Sequence, residues 1–172
     1  MFTGVATAVR RARDPEHRRR VALLAETPLF SSLRRRLLGR LAVRLFEKSY
    51  EPGEEIFHEG DPGRALYLVA SGEIEIAQAD GDGGERILAR LGERTAFGEL
   101  ALIDDLPRQA TARAVVPSEL FILYRTHFEE LVDGEPAVAL ALCRNLLARL
   151  AHYVREREGP PPPAPRRDEP RA

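Results

Sequence analysis

One cysteine, Cys143, is all the thiol this sequence carries, so no internal disulfide can form and a reducing cytoplasm is the expected compartment. No stretch approaches the ~20 apolar residues that span a bilayer. Arg10, Arg11 and Arg13 break the N-terminus before it can build the apolar core of a secretory signal. The histidines, His17, His58, His127 and His152, are scattered and form no His-x-His pair. The clustered imidazoles and carboxylate of a metal-dependent cupin enzyme are therefore missing, and no catalytic metal or organic cofactor is expected. Cys143 has no activating neighbour in sequence and sits on an apolar stripe, which marks a packing or interface residue rather than a nucleophile. Lysine is nearly absent: Lys48 is the only one among 26 basic residues. No internal repeat is visible.

What is present is a segregated charge. The formal net charge of the whole is −1, but residues 1–50 carry +8, residues 51–135 carry −12 and residues 136–172 carry +3. An acidic middle repels nucleotides at long range, so any phosphate must be held there by local donors. The arginine runs 18–20 and 34–36 read as solvated helix faces or partners for the acidic middle. A chain of 172 residues suits one domain with extensions.

Residues 16–48 alternate arginines with Val21, Leu24, Ala25, Leu33, Leu37, Leu38, Leu41 and Leu45 at helical spacing. Thr27-Pro28 divides them into two helices, because proline disfavours helix in the residue before it. From Ser49 the period shortens. Runs at 54–58, 65–69, 73–77, 86–91, 111–116 and 120–124 are β-type, and Gly53, Gly60-Asp61-Pro62-Gly63, Gly72, Gly81-Asp82-Gly83-Gly84, Gly92 and Pro117 punctuate them. Many short antiparallel strands with regular turns predict a β-roll, jelly-roll-like, over about 49–124.

Thr126-His127-Phe128-Glu129 has the form of a capping box with Thr126 as N-cap. Asp133-Gly134-Glu135-Pro136 ends that helix and opens another, about 137–158, striped with Val138, Leu142, Leu146, Leu150, Tyr153 and Val154. The expected organisation is a basic helical extension at 1–22, an α+β domain at 23–158 whose roll is flanked by N-terminal and C-terminal helices (about 126–158), and a disordered, Pro-rich tail at 159–172.

The chemistry concentrates in the run from Phe97 to Ala114. There Gly98-Glu99-Leu100-Ala101 and Arg108-Gln109-Ala110-Thr111 flank one short turn, with a carboxylate and a guanidinium nine positions apart. A short helix entered at Gly98 offers free N–H groups to an anion, and glycine permits close approach. Arg108 can fork onto a phosphate. Glu99, which only accepts hydrogen bonds when ionised, suits a vicinal hydroxyl.

These residues resemble the phosphate-binding cassette of the cyclic nucleotide-binding domain family, the type found in catabolite activators and protein kinase A regulatory subunits. The phrases Pro52-Gly53-Glu54, Glu59-Gly60-Asp61 and Ser71-Gly72-Glu73 resemble that family's turns, and the likeness covers roughly 23–157. It implies that Glu99 holds a ribose 2′-hydroxyl and Arg108 a cyclic phosphate. In relatives that prefer cGMP a threonine or serine commonly follows the arginine; Gln109 departs from that, which favours cAMP and leaves cGMP and cyclic dinucleotides open. Thr111 could share a face with Gln109. Arg149, His152 and Tyr153 on the last helix are candidates for a lid over the base, and Val69, Leu88, Leu100 and Ala110 for the pocket wall.

The resemblance thus implies a non-enzymatic regulatory sensor that passes ligand binding to a protein partner through helix rearrangement, with a homodimer through the last helix. The alternatives are a non-binding scaffold of the same fold, or a truncated relative of a cAMP-responsive transcription regulator. No DNA-binding domain is evident, since proline follows the last helix where a recognition helix would stand.

Overall fold

The computed structural model describes residues 14–81, 83–102 and 106–158, without the side chains of 149 and 152–158. The first thirteen residues and the Pro-rich tail lie outside the described residues.

Helix α1, Pro15–Glu26, is capped by Asp14, whose carboxylate accepts the Glu16 N–H at 3.1 Å, with proline at the first helical position. It stops at Thr27, whose hydroxyl donates to Leu23 O at 2.8 Å. Helix α2, Arg35–Ala42, follows. The break expected at Thr27-Pro28 is therefore present. Eight strands come next: β1 Phe46–Tyr50, β2 Glu55–Phe57, β3 Ala65–Ser71, β4 Ile74–Ala79, β5 Glu85–Leu91, β6 Ala96–Phe97, β7 Thr111–Ala114 and β8 Ser118–Tyr124. Helices α3, Arg125–Gly134, and α4, Pro136–Glu158, close the described chain.

The strands form two antiparallel four-stranded sheets, ordered β1-β8-β3-β6 and β2-β7-β4-β5. Alternation sorts their side chains. Tyr50, Val69, Phe97 and Leu120 of the first sheet meet Ile74, Ala112 and Ala114 of the second in an inner core. On the other face of the first sheet, Leu66, Leu68, Phe121 and Leu123 pack against Leu24, Phe30, Leu41, Leu131 and Val138 from the helices. The apolar runs 65–69 and 120–124 are continuous because these two strands are buried on both faces. This is the expected α+β roll with flanking helices.

Ion pairs and polar contacts dock the helices. Arg19 grips Glu119 of β8 with both guanidinium nitrogens at 2.6 Å. Asn145 of α4 donates to Leu29 O at 2.7 Å and to Ser32 Oγ at 2.9 Å. Glu135, at the joint between α3 and α4, accepts from Arg40 and lies 3.7 Å from Arg36. No helix among the described residues is long and apolar enough to cross a membrane.

Two local expectations need correction. The roll begins at Phe46 rather than Ser49: β1 is an edge strand with four of its five residues exposed, so its charged Glu47 and Lys48 carry no strand alternation. Thr126 is not the N-cap. The cap lies two residues earlier, at Tyr124, which makes no side-chain bond, and the helix starts at Arg125, because β8 runs straight into α3 and the Arg125 N–H is taken by Arg64 O at 2.9 Å.

Candidate anion site at the cassette

Strand β6 delivers the chain to Gly98, where φ is +69°, a left-handed conformation that glycine adopts without strain. A 3-10 turn over Glu99–Leu102 follows, closed by the Ala101 N–H on Gly98 O at 3.2 Å. The returning arm is fixed by backbone pairing with the β2–β3 turn. Arg108 N–H donates to Asp61 O and Gly60 N–H to Arg108 O, each at 2.8 Å, and Pro62 bridges Pro107.

This pairing drives the Arg108 side chain inward, leaving the residue 8% exposed. Its Nη1 donates to Gly98 O at 3.2 Å and its Nη2 to Ala65 O at 2.7 Å. The guanidinium carbon lies 4.1 Å from the Phe57 ring centre and 5.5 Å from that of Tyr67, within cation–π range. Tyr67 in turn stacks on Phe97 at 5.2 Å. The Nε is buried without a partner. Among the described residues no carboxylate comes within ion-pair distance of this cation. Burial lowers the Arg108 pKa from its ordinary value, opposed by Tyr67 and Asp61 and reinforced by the like charge of Arg125; arginine nevertheless stays charged. The same burial raises the Tyr67 phenol, with Arg108 opposing it.

Arg108 lines a cavity of about 170 Å³ together with Gly98, Glu99, Leu100, Ala101, Gln109 and Ala110, with Phe57, Ile76 and Phe97 supplying an apolar wall. Seven of the eight cassette residues read from the sequence thus meet in one cavity. Thr111 does not line it: its hydroxyl accepts the Glu59 N–H at 3.0 Å. Gln109 is exposed at the rim, and its carbonyl accepts from Gln78 Nε2 at 3.1 Å. Of the other wall candidates, Leu100 and Ala110 line the cavity. Val69 is wholly buried between the sheets and Leu88 is 47% exposed on the edge strand β5. The side chains of Arg149, His152 and Tyr153 lie outside the described residues; their backbone belongs to α4.

Sequence reasoning missed Phe57, Tyr67 and Ile76. Ile76 alternates with Glu75, so its inward direction was readable. Phe57 and Tyr67 gave no local signal, since only the tertiary return of residues 107–108 places a cation over them. The arrangement has a cation backed by aromatic faces, a carboxylate-bearing residue in the same lining and an apolar flank. It suits a small anion carrying hydroxyls and a flat hydrophobic body.

Comparison with known proteins agrees with that chemistry. The profile of the cyclic nucleotide-binding domain family matches residues 47–135. The cyclic AMP receptor protein of Thermus thermophilus is 41% identical over 131 residues, which is 76% of this chain and 58% of that protein; the chain therefore spans a little over half of this relative's length. Among solved structures, the N-terminal domain of a transcriptional regulator from Streptomyces coelicolor superposes with a TM-score of 0.70 at 34% identity, over 76% of this chain and 94% of that one. The regulatory domain of Toxoplasma gondii PKA, co-crystallised with cAMP, gives 0.65 at 34%, over 69% and 46%. By profile, sequence identity and fold, this chain belongs to the cyclic nucleotide-binding domain family.

Proposed function

We propose that this protein is a cyclic nucleotide sensor that binds cAMP in the cassette cavity and signals to a protein partner by helix rearrangement, with no catalytic step of its own. The observation that carries this reading is the buried Arg108 guanidinium, held on two carbonyls and two aromatic faces with no described carboxylate in ion-pair reach. A buried cation whose described hydrogen-bond partners are neutral carbonyls is suited to an anion.

In this reading Arg108 binds the cyclic phosphate, with N–H groups of the turn Gly98–Ala101 beside it. Glu99 accepts from the ribose 2′-hydroxyl. Gln109, Ala110 and Thr111 border the base or the phosphate, and Arg149, His152 and Tyr153 supply the lid. Gln109 stands where a short hydroxyl would reach a guanine amino group, which favours adenine. Relatives named for cAMP, and one crystallised with it, point the same way.

The phosphate draws the cassette inward, α3 and α4 move to cap the base, and the basic N-terminal helices or the tail report the change. Leu140, Leu147 and Leu150 of α4 are 64%, 64% and 58% exposed at near-heptad spacing, the pattern by which two copies pair through one helix.

Calorimetric titration with cAMP, cGMP and a cyclic dinucleotide, with Arg108→Ala as control, tests the reading. Tight binding of cAMP that the variant loses is the expected result. Absence of heat with all three would leave a scaffold of the same fold.

A further inference from the structure

Arg125 stands where three segments meet. Its Nε donates to Ala101 O inside the cassette turn, and its Nη2 to Gly63 O at 3.2 Å in the β2–β3 turn. Its backbone N–H donates to Arg64 O at 2.9 Å. Both of these segments are bound up with Arg108: the β2–β3 turn through Asp61 O, and the cassette through Gly98 O. They are in close contact at that point, since a β-carbon on Gly63 would lie 3.1 Å from Leu106 O and 3.2 Å from Ala101 Cβ.

Arg125 is also the first residue of α3. That helix ends at Gly134 and α4 begins at Pro136, with Glu135 alone between them, whose backbone is non-helical (φ −148°, ψ 76°) and whose carboxylate is held by Arg40 of α2. A continuous set of contacts therefore runs from the cassette carbonyl through one guanidinium to α3, and from α3 to α4 by a single-residue joint. A planar guanidinium has donors fixed in a fork and can span two carbonyls on different segments; an ammonium presents its donors from one nitrogen.

We propose that Arg125 is the positioning residue that fastens the cassette turn to α3, so that inward movement of the cassette carries α3 with it and, through the Glu135 joint, moves α4. This deepens the cyclic nucleotide reading above and rests on it for the ligand, whereas the fastening itself can be read without any ligand.

Hydrogen exchange on the full chain tests both levels, using the parent, Arg125→Gln and Arg125→Lys. Without ligand, Arg125→Gln should speed exchange in the cassette turn and in the first turn of α3 together, and Arg125→Lys should fall between it and the parent. Unchanged exchange in those two segments would overturn the proposal. With cAMP, the parent should gain protection in α4. Arg125→Gln should lose that gain while its affinity stays within about tenfold of the parent, the usual size of a coupling effect. Full protection of α4 in Arg125→Gln would likewise overturn it. A parent that binds no cAMP contradicts the proposed function instead, and the ligand-free exchange still decides the fastening.

Discussion

A β-carbon at position 98 would stand 2.6 Å from Nη1 of Arg108, so the smallest residue of the cassette sets where its cation can lie. Gly98→Ala therefore carries two penalties. The left-handed φ costs about 1–2 kcal/mol for a residue with a side chain, and the guanidinium must leave the Gly98 carbonyl. The variant should show a lower denaturant midpoint together with weakened cyclic nucleotide binding; an unchanged midpoint and affinity would refute the spatial argument.

Arg108→Met separates stability from binding. Arg108→Met removes the cost of burying a cation but also takes the donor from the carbonyls of Gly98 and Ala65, so the two effects on stability oppose each other. The thermal midpoint of the unliganded variant should stay close to that of the parent. Its affinity for cAMP should fall by about 2–5 kcal/mol, as when one partner of a desolvated charge pair is removed. Scanning calorimetry and titration of the same preparation check both halves.

Glu99 lines the same cavity but makes a narrower contribution. Glu99→Ala should weaken cAMP by about 1.5–3 kcal/mol, the range for a hydrogen bond to a charged group, and should bind 2′-deoxy-cAMP as the parent does. If the parent itself fails to discriminate the deoxy ligand, Glu99 does not hold the ribose.

Away from the cassette, Glu75 joins three strands. Its Oε1 accepts from Arg113 Nε at 3.1 Å and its Oε2 from Arg90 Nη2 at 3.0 Å, and these bonds, Arg113 first, lower its pKa below the ordinary carboxylate value. A carboxylate depressed in the folded state stabilises fully above its unfolded pKa of about 4.5 and loses that contribution as pH falls through the lowered folded value. Glu75→Gln should therefore flatten the acid limb of a stability profile measured by urea unfolding below that pH, while a parallel downward shift at every pH would point to packing alone.

Leu147→Asp tests the α4 seam. Sedimentation at micromolar concentration should show a dimer for the parent and a monomer for the variant, with the unfolding midpoint of the isolated subunit unchanged because Leu147 is 64% exposed and contributes no core contact. A parent that is monomeric at those concentrations would remove the dimer from the account.

The grouping of Gly98, Glu99 and Arg108 at one cavity was legible because it is local: they lie within eleven consecutive residues. The helix break at Thr27-Pro28 was legible for the same reason. What escaped depends on contacts distant in sequence. Strand β1 exists because Phe46–Tyr50 pairs with Ser118–Ile122, a partner no local pattern announces. Thr126 has the composition of a cap, yet Arg64 O meets the preceding N–H and shifts the helix start. The assignment of Val69 and Leu88 to the wall failed on phase and edge position: one strand turns that side chain into the inner core, and the other leaves its residue at the sheet's outer rim.

Asn145 ties α4 to the turn between α1 and α2 through Leu29 O and Ser32, and in the proposed sensor this contact would link the N-terminal helices to ligand affinity. If cyclic nucleotide loosens or tightens that tie, thermodynamic reciprocity requires any protein that clasps α1 and α2 to alter nucleotide affinity by the same factor. In the proposed sensor, a partner that gripped the arginine-rich end would then be an effector as much as a recipient of the signal, and its concentration would set how much nucleotide fills the cassette.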